Sequence, residues 1–215
     1  MSELGKTVSA RLSDLLAASD LNPLEPGTTE RFAEYCALLL RWNARMNLTA
    51  VRDEDGVLSR HFVESIACAQ ALPADIATLL DLGSGAGFPG IPIALCRTEI
   101  EVTLAESQGK KAGFLQEAVR TLGLSSKVHS GRAETLVGHF DCVALRAVDR
   151  MSDAVGVATR LVDRNGWLAV MTTETELQSI KGSIGAGISW RQPLPLPGSD
   201  RRVLALGQPG VSLPA

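Results

Sequence analysis

The stretch Leu79-Leu80-Asp81-Leu82-Gly83-Ser84-Gly85-Ala86-Gly87-Phe88-Pro89-Gly90 decides how the rest of the chain is read. An apolar run enters Asp81 and gives way to a loop with glycine at 83, 85, 87 and 90. Glycine lets the backbone turn sharply there and lets a ligand approach the main chain. Pro89 and Pro92 suit the first turn of a following helix, where a missing N–H breaks no intrahelical bond. In an open α/β sheet the first strand–helix turn lies at the carboxyl edge, where ligands bind. A dinucleotide fingerprint needs its third glycine at position 88, and Phe88 stands there instead. Glu106 falls 19 residues beyond Gly87, at the end of the next apolar run. A carboxylate at that place can accept hydrogen bonds from both hydroxyls of a ribose. The competing reading is a glycine-rich turn without a ligand.

Outward from the loop, short apolar runs at 78–82, 102–105, 140–145 and 167–171 predict strands, and 109–122 and 152–161 predict helices. This alternation predicts an α/β fold with a doubly wound, mainly parallel, Rossmann-like sheet. Segments 188–197 and 203–206 are expected to pair antiparallel at one edge, joined through the proline-rich 192–198 stretch. Upstream the pattern is helical. Phe32, Tyr35, Cys36, Leu39 and Met46 form one stripe of an amphipathic helix starting near Thr29, with further helices expected over 8–18 and 57–71. Residues 1–77 carry 7 basic and 11 acidic side chains, residues 78–215 carry 14 and 13. The expected organisation is therefore an N-terminal helical extension, 1–77, packed as one unit with a ligand-binding α/β domain, 78–215.

The 215 residues suffice for one sizeable domain with an appendage. A net charge of −3 excludes a globally basic nucleic-acid binder but leaves room for a local basic face. Cys36, Cys68, Cys96 and Cys142 are widely spaced in apolar stretches, which predicts buried free thiols in a reducing compartment. No apolar run reaches the roughly 18 residues of a membrane span, and the N-terminus lacks an apolar core of its own. A cytoplasmic protein without membrane contact is expected. His61, His129 and His139 are scattered, so no metal site is expected, and a monomer is the expected state.

The Gly-x-Gly-x-Gly spacing with Asp81 two residues ahead resembles the first motif of class I S-adenosylmethionine-dependent methyltransferases. Three further segments narrow the resemblance: Arg41-Trp42-Asn43-Ala44-Arg45-Met46-Asn47-Leu48-Thr49 with Arg60-His61-Phe62-Val63-Glu64-Ser65; Glu106-Ser107-Gln108-Gly109-Lys110-Lys111-Ala112-Gly113-Phe114-Leu115; and Ala144-Leu145-Arg146-Ala147-Val148. With the glycine loop they resemble the RsmG/GidB (glucose-inhibited division protein B) family, bacterial 16S rRNA guanine-N7 methyltransferases. The resemblance runs in order from about Phe32 to Leu206. It implies S-adenosyl-L-methionine as cofactor, and 16S rRNA or an assembling small ribosomal subunit as partner. The expected target is N7 of a guanine in the 530 loop. Family cofactor contacts fall on Gly83, Phe88, Ala133, Glu134 and Arg146. Asp81, Gly85, Gly87 and Glu106 come from the general methyltransferase pattern. Family members typically carry a Lys near the end of the fifth strand, where this chain has Thr172.

Guanine N7 carries an in-plane lone pair and no proton, so its methylation needs no general base. Catalysis then rests on alignment, with Arg146 as the candidate positioning group. Arg41, Arg45, Lys110, Lys111 and Arg146 are candidates for RNA phosphates. Trp42 can stack on a base or pack between helix and sheet. His61 can face RNA or pack. Two rival functions stay open here: a small-molecule methyltransferase on the same fold, and a ribosome-binding relative that has lost turnover.

Overall fold

A computed structural model describes residues 3–148 and 150–210. Three helical elements come first: α1 (Glu3–Ala18), α2 (Thr28–Met46), and α3 (Glu54–Gly56), which runs through a π-helical turn (Val57–Phe62) into α4 (Val63–Ala71). The alternating part follows as β1 (Thr78–Leu82), α5 (Gly90–Cys96), β2 (Glu101–Glu106), α6 (Gly109–Thr121) and β3 (Lys127–Ser130). After a 3-10 turn (Ala133–Thr135) come β4 (Phe140–Arg146), α7 (Met151–Leu161), β5 (Val162–Thr173) and α8 (Glu174–Ile184). β6 (Ile188–Trp190), β7 (Leu194–Pro195) and β8 (Arg202–Pro209) complete the order.

The sheet runs β3-β2-β1-β4-β5-β8-β6, with β7 also on β8. β1 to β5 pair parallel, and β8 runs antiparallel to β5. The strand order reverses between β1 and β4, the switch point at which open α/β sheets bind ligands. Side chains alternate between the two faces. Leu79, Cys142 and Ala144 join the core under α1, α2, α4, α5 and α6, while Leu80, Leu82, Val143 and Leu145 join the core under α7 and α8. The first of these cores takes residues from α1 and α2 as well as from β1 and β2. Phe62 sits at its centre, 4.9 Å from the Phe32 ring and 5.2 Å from Tyr35.

Several elements depart from the sequence reading for identifiable reasons. β3 has one apolar residue, Val128, in Lys127–Ser130, because it is an edge strand and lacks a fully buried face. β5 begins at Val162, ahead of the polar Asp163-Arg164-Asn165-Gly166 stretch, and its pairing shifts register opposite Phe140 and Cys142. α8 carries the helical signal to Ile184, two residues past the expected stop at Gly182; it buries only Leu177 and Ile180 and is capped by Thr173, which accepts from the Glu176 amide at 3.2 Å. The expected antiparallel edge is present, but the 188–197 arm is broken into β6 and β7, both on β8. The helix expected over 57–71 begins at Glu54 and contains the π-turn.

Candidate functional site

The glycine loop leaves β1 at the carboxyl edge. Gly83 and Ser84 both donate their amides to the Ala105 carbonyl at 3.0 Å, tying the loop to β2. Gly83, Gly85 and Gly87 have φ of 76°, 56° and 93°, left-handed conformations that strain any residue with a Cβ. Their surroundings differ. A Cβ at Gly85 would meet only the Gly83 carbonyl, at 3.8 Å, so this glycine faces open space. One at Gly87 would strike Ile91 at 2.5 Å and the Tyr35 hydroxyl at 2.7 Å; one at Gly90 would strike Leu104 at 2.4 Å and the Asp81 carboxylate at 2.6 Å. Gly87 and Gly90 are thus required by packing beneath the loop, whatever binds above it.

Two carboxylates hold the loop. Glu106 accepts the Gly85 amide on Oε2 at 2.9 Å and the Gln108 amide on Oε1 at 2.7 Å, which leaves each oxygen a further lone pair. Asp81 accepts the Gly90 amide on Oδ2 at 3.0 Å, while its Oδ1 is buried without a partner. Burial pushes the Asp81 carboxyl up to about 7, against the pull of the Gly90 amide. Beyond β3, Gly131 donates to the Glu106 carbonyl at 3.1 Å, which sets the next turn against the end of β2. In that turn Ala133 is buried beside Leu82 and Ala105, and Glu134 is exposed. Gly83, Gly85, Glu106, Ala133 and Glu134 therefore share the carboxyl edge of β1, β2 and β3. The open face over Gly85, the free lone pairs of Glu106 and the orphaned Asp81 oxygen fit a nucleoside cofactor of the S-adenosylmethionine kind.

Phe88 and Arg146 lie elsewhere. The Phe88 ring is buried against the N-terminal helices, stacked on His61 at 4.6 Å and 5.5 Å from Tyr35. The Tyr35 hydroxyl donates to the Ala86 carbonyl, so α2 grips the loop from below. Arg146, expected as an open positioning or phosphate-binding group, is instead a buried strut. Its Nη2 donates to the Arg60 carbonyl at 2.7 Å and the Glu64 carboxylate at 2.9 Å, and its Nη1 to the Ser65 hydroxyl at 3.3 Å. The side chain is 12% exposed. A guanidinium can only donate, so its 3.1 Å contact to His61 Nδ1 makes that nitrogen the acceptor. His61 therefore carries its proton on Nε2, which donates to the Thr49 hydroxyl at 2.8 Å. Burial, then the charges of Arg146, Arg60 and Arg202, push His61 down to about 3. It is a neutral histidine packed between Phe88, Arg146 and Thr49.

The sequence reading assigned no role to Glu64, and counted Arg202, with Arg146, Arg150 and Arg201, among the candidates to supply the charge that Thr172 lacks. Glu64 has no exposed surface, and its carboxylate pairs with Arg146 on one oxygen and with Arg202 on the other. Burial raises its pKa, and the two guanidiniums oppose the rise. A signal existed: Glu64 is the one charged residue between Phe62 and Ala71. Trp42 packs edge-on against Phe114, joining α2 to α6 rather than helix to sheet. Thr172 is 6% exposed and donates to the Glu176 carboxylate, so it is no open phosphate contact.

The model of the family described as rRNA small subunit methyltransferase G matches residues 28–184. The chain belongs to that family, one of S-adenosylmethionine-dependent methyltransferases. The ribosomal RNA small subunit methyltransferase G of Stenotrophomonas maltophilia (strain R551-3) is 40% identical over 200 residues, 91% of this chain and 92% of that protein. Among solved structures, the mitomycin 7-O-methyltransferase MmcR superposes with a TM-score of 0.61 at 15% identity, over 96% of this chain and 68% of that one. TYW2 of M. jannaschii, in complex with AdoMet, superposes with a TM-score of 0.55 at 14% identity, over 71% and 78%. At such identities the superpositions speak for the fold, that of the class I methyltransferases. The family match covers the π-turn, Glu64 and Arg146 as well as the glycine loop.

Proposed function

We propose that this chain moves the methyl group of S-adenosyl-L-methionine to N7 of a guanine in the 530 loop of 16S rRNA, as free RNA or within an assembling subunit. The observation that carries the reading is the loop clasped by Glu106 at the β1–β4 switch point, in a chain that belongs to the methyltransferase G family. The cofactor supplies an electrophilic methyl on a sulfonium. Gly83 and Gly85 offer main chain at close approach, Glu106 and the 131–134 turn the ribose and base side, and Asp81 a carboxylate behind the loop. N7 attacks with its own lone pair, so the protein has no proton to remove. Its task is to hold nucleophile, methyl carbon and sulfur in line.

Among the described residues, Arg41, Arg45 and Lys110 are exposed and make no ion pair, on the two helices that Trp42 and Phe114 join. They are the proposed phosphate face, with Arg146 withdrawn from it. The 1–77 extension acts as part of the same unit and the place of action is the cytoplasm, with the chain as a monomer. The test is transfer of labelled methyl to small-subunit RNA from a strain lacking the modification. One labelled guanine in the 530 loop is expected. Label confined to small molecules, or no transfer despite cofactor binding, overturns the reading. Binding to that RNA should weaken with salt by roughly 0.7 logarithmic units per tenfold salt for each phosphate held.

A further inference from the structure

We propose that Glu64 is a positioning residue for methyl transfer, bridging Arg146 and Arg202 across the end of β5 to fix the acceptor side of the site. The proposal rests on the methyltransferase reading above. Arg146 ends β4 and faces Met171 of β5; Arg202 begins β8 and faces Thr173 of β5. The carboxylate between them therefore spans three neighbouring strands at the carboxyl edge, where open α/β sheets carry their chemistry. The Arg146 guanidinium carbon lies 5.7 Å from the Phe88 ring of the cofactor loop.

Three features that work against stability converge on this one guanidinium. A fully buried carboxylate paired with two arginines is seldom better for stability than apolar packing. The π-helical turn Val57–Phe62 is a rare conformation that gathers at functional sites, and its Arg60 carbonyl accepts from Arg146. Ala147, the next residue after Arg146, sits at φ 50° despite its Cβ, and strained backbone of this kind also collects where function requires it. A core serving stability alone would need none of the three. Together they hold one planar group rigidly beside the cofactor loop, which is what an alignment-only reaction demands.

Arg202→Ala tests this: Arg202 is partly exposed, its removal leaves Glu64 paired with Arg146, and thermal unfolding separates a loss of fold from a loss of alignment. The measurements are kcat and KM on unmodified small-subunit RNA, the Kd for S-adenosylhomocysteine by calorimetry, and thermal unfolding. The expected result is a kcat about 100-fold lower, the scale of a small misplacement, with KM and Kd within about threefold. Arg202→Lys should recover about tenfold of the loss. Glu64→Asp keeps the charge but draws the carboxylate back by one methylene, and should lower kcat by about tenfold or more at unchanged Kd. Wild-type kcat in folded Arg202→Ala or folded Glu64→Asp overturns the proposal, as does a loss carried by cofactor Kd alone. A wild-type chain that binds S-adenosylhomocysteine yet methylates no RNA overturns the reading beneath it, and the proposal with it.

Discussion

The two halves of the proposed site are made of different material. The cofactor half, the 83–90 loop with Glu106, consists of main chain: amides of Gly83, Ser84, Gly85 and Gly90 held by a carbonyl and two carboxylates. The proposed acceptor half consists of side chains from three separate places, with the buried Glu64 from α4, Arg146 from β4 and the partly exposed Arg202 from β8. A site of main chain leaves its mark in the sequence as glycines at fixed spacing, since only glycine tolerates both the dihedral angles and the close approach. A site of side chains leaves residues of ordinary type whose meaning depends on who their neighbours are.

The comparison breaks first, and with the largest effect, at Gly85. Gly85→Val places a branched side chain at φ 56° into the open space over the loop, so S-adenosylhomocysteine affinity should fall by a factor on the order of 100 or more. The fold should persist, since nothing but the Gly83 carbonyl lies near that Cβ. Calorimetry beside thermal unfolding checks both halves of the statement; intact affinity would mean that the cofactor does not lie over Gly85.

Next comes Asp81, whose carboxyl is pushed up to about 7 when folded. The unfolded chain releases that proton near pH 4, so between about pH 4 and 7 the folded state binds more protons. This contribution to stability is fully present below pH 4 and is lost as pH rises through about 7. It amounts to at most on the order of 4 kcal/mol. Asp81→Asn keeps an acceptor for the Gly90 amide and removes the titration. Denaturant midpoints of the two proteins at pH 5 and 8 should therefore diverge in favour of the variant at the higher pH, and parallel curves would contradict the assignment.

Thr172→Lys should have a smaller effect. The position is buried and faces Glu176, so a lysine there pairs with that carboxylate instead of reaching a phosphate. RNA affinity is expected to stay within about twofold, with stability lowered by about 1 kcal/mol from crowding. A gain of tenfold in filter binding would place this position on the RNA side after all.

The smallest expected effect is on the pH dependence of turnover. His61 is held neutral near 3 and N7 has no proton to lose, so kcat at saturation should be flat from roughly pH 6.5 to 8.5. A single-proton rise abolished by replacing His61 would give the acceptor half an acid–base role that its geometry lacks.

From the sequence alone, the parallel strands, the loop and Glu106 could be read, because apolar period and glycine spacing are local properties of the chain. The edge strand β3 could not, since it buries too little apolar surface to impose a period. Gly87 and Gly90 were legible as glycines but not as packing glycines; the Ile91, Tyr35, Leu104 and Asp81 side chains that crowd them are brought there by the fold. Arg146 shows most plainly where sequence stops. Its place after an apolar strand marks it for the site, yet whether its guanidinium meets solvent or a buried carboxylate depends on α4, 82 residues upstream. Burial and ion pairing are properties of neighbours in space, and only the packing of the helical layer against the carboxyl edge determined them.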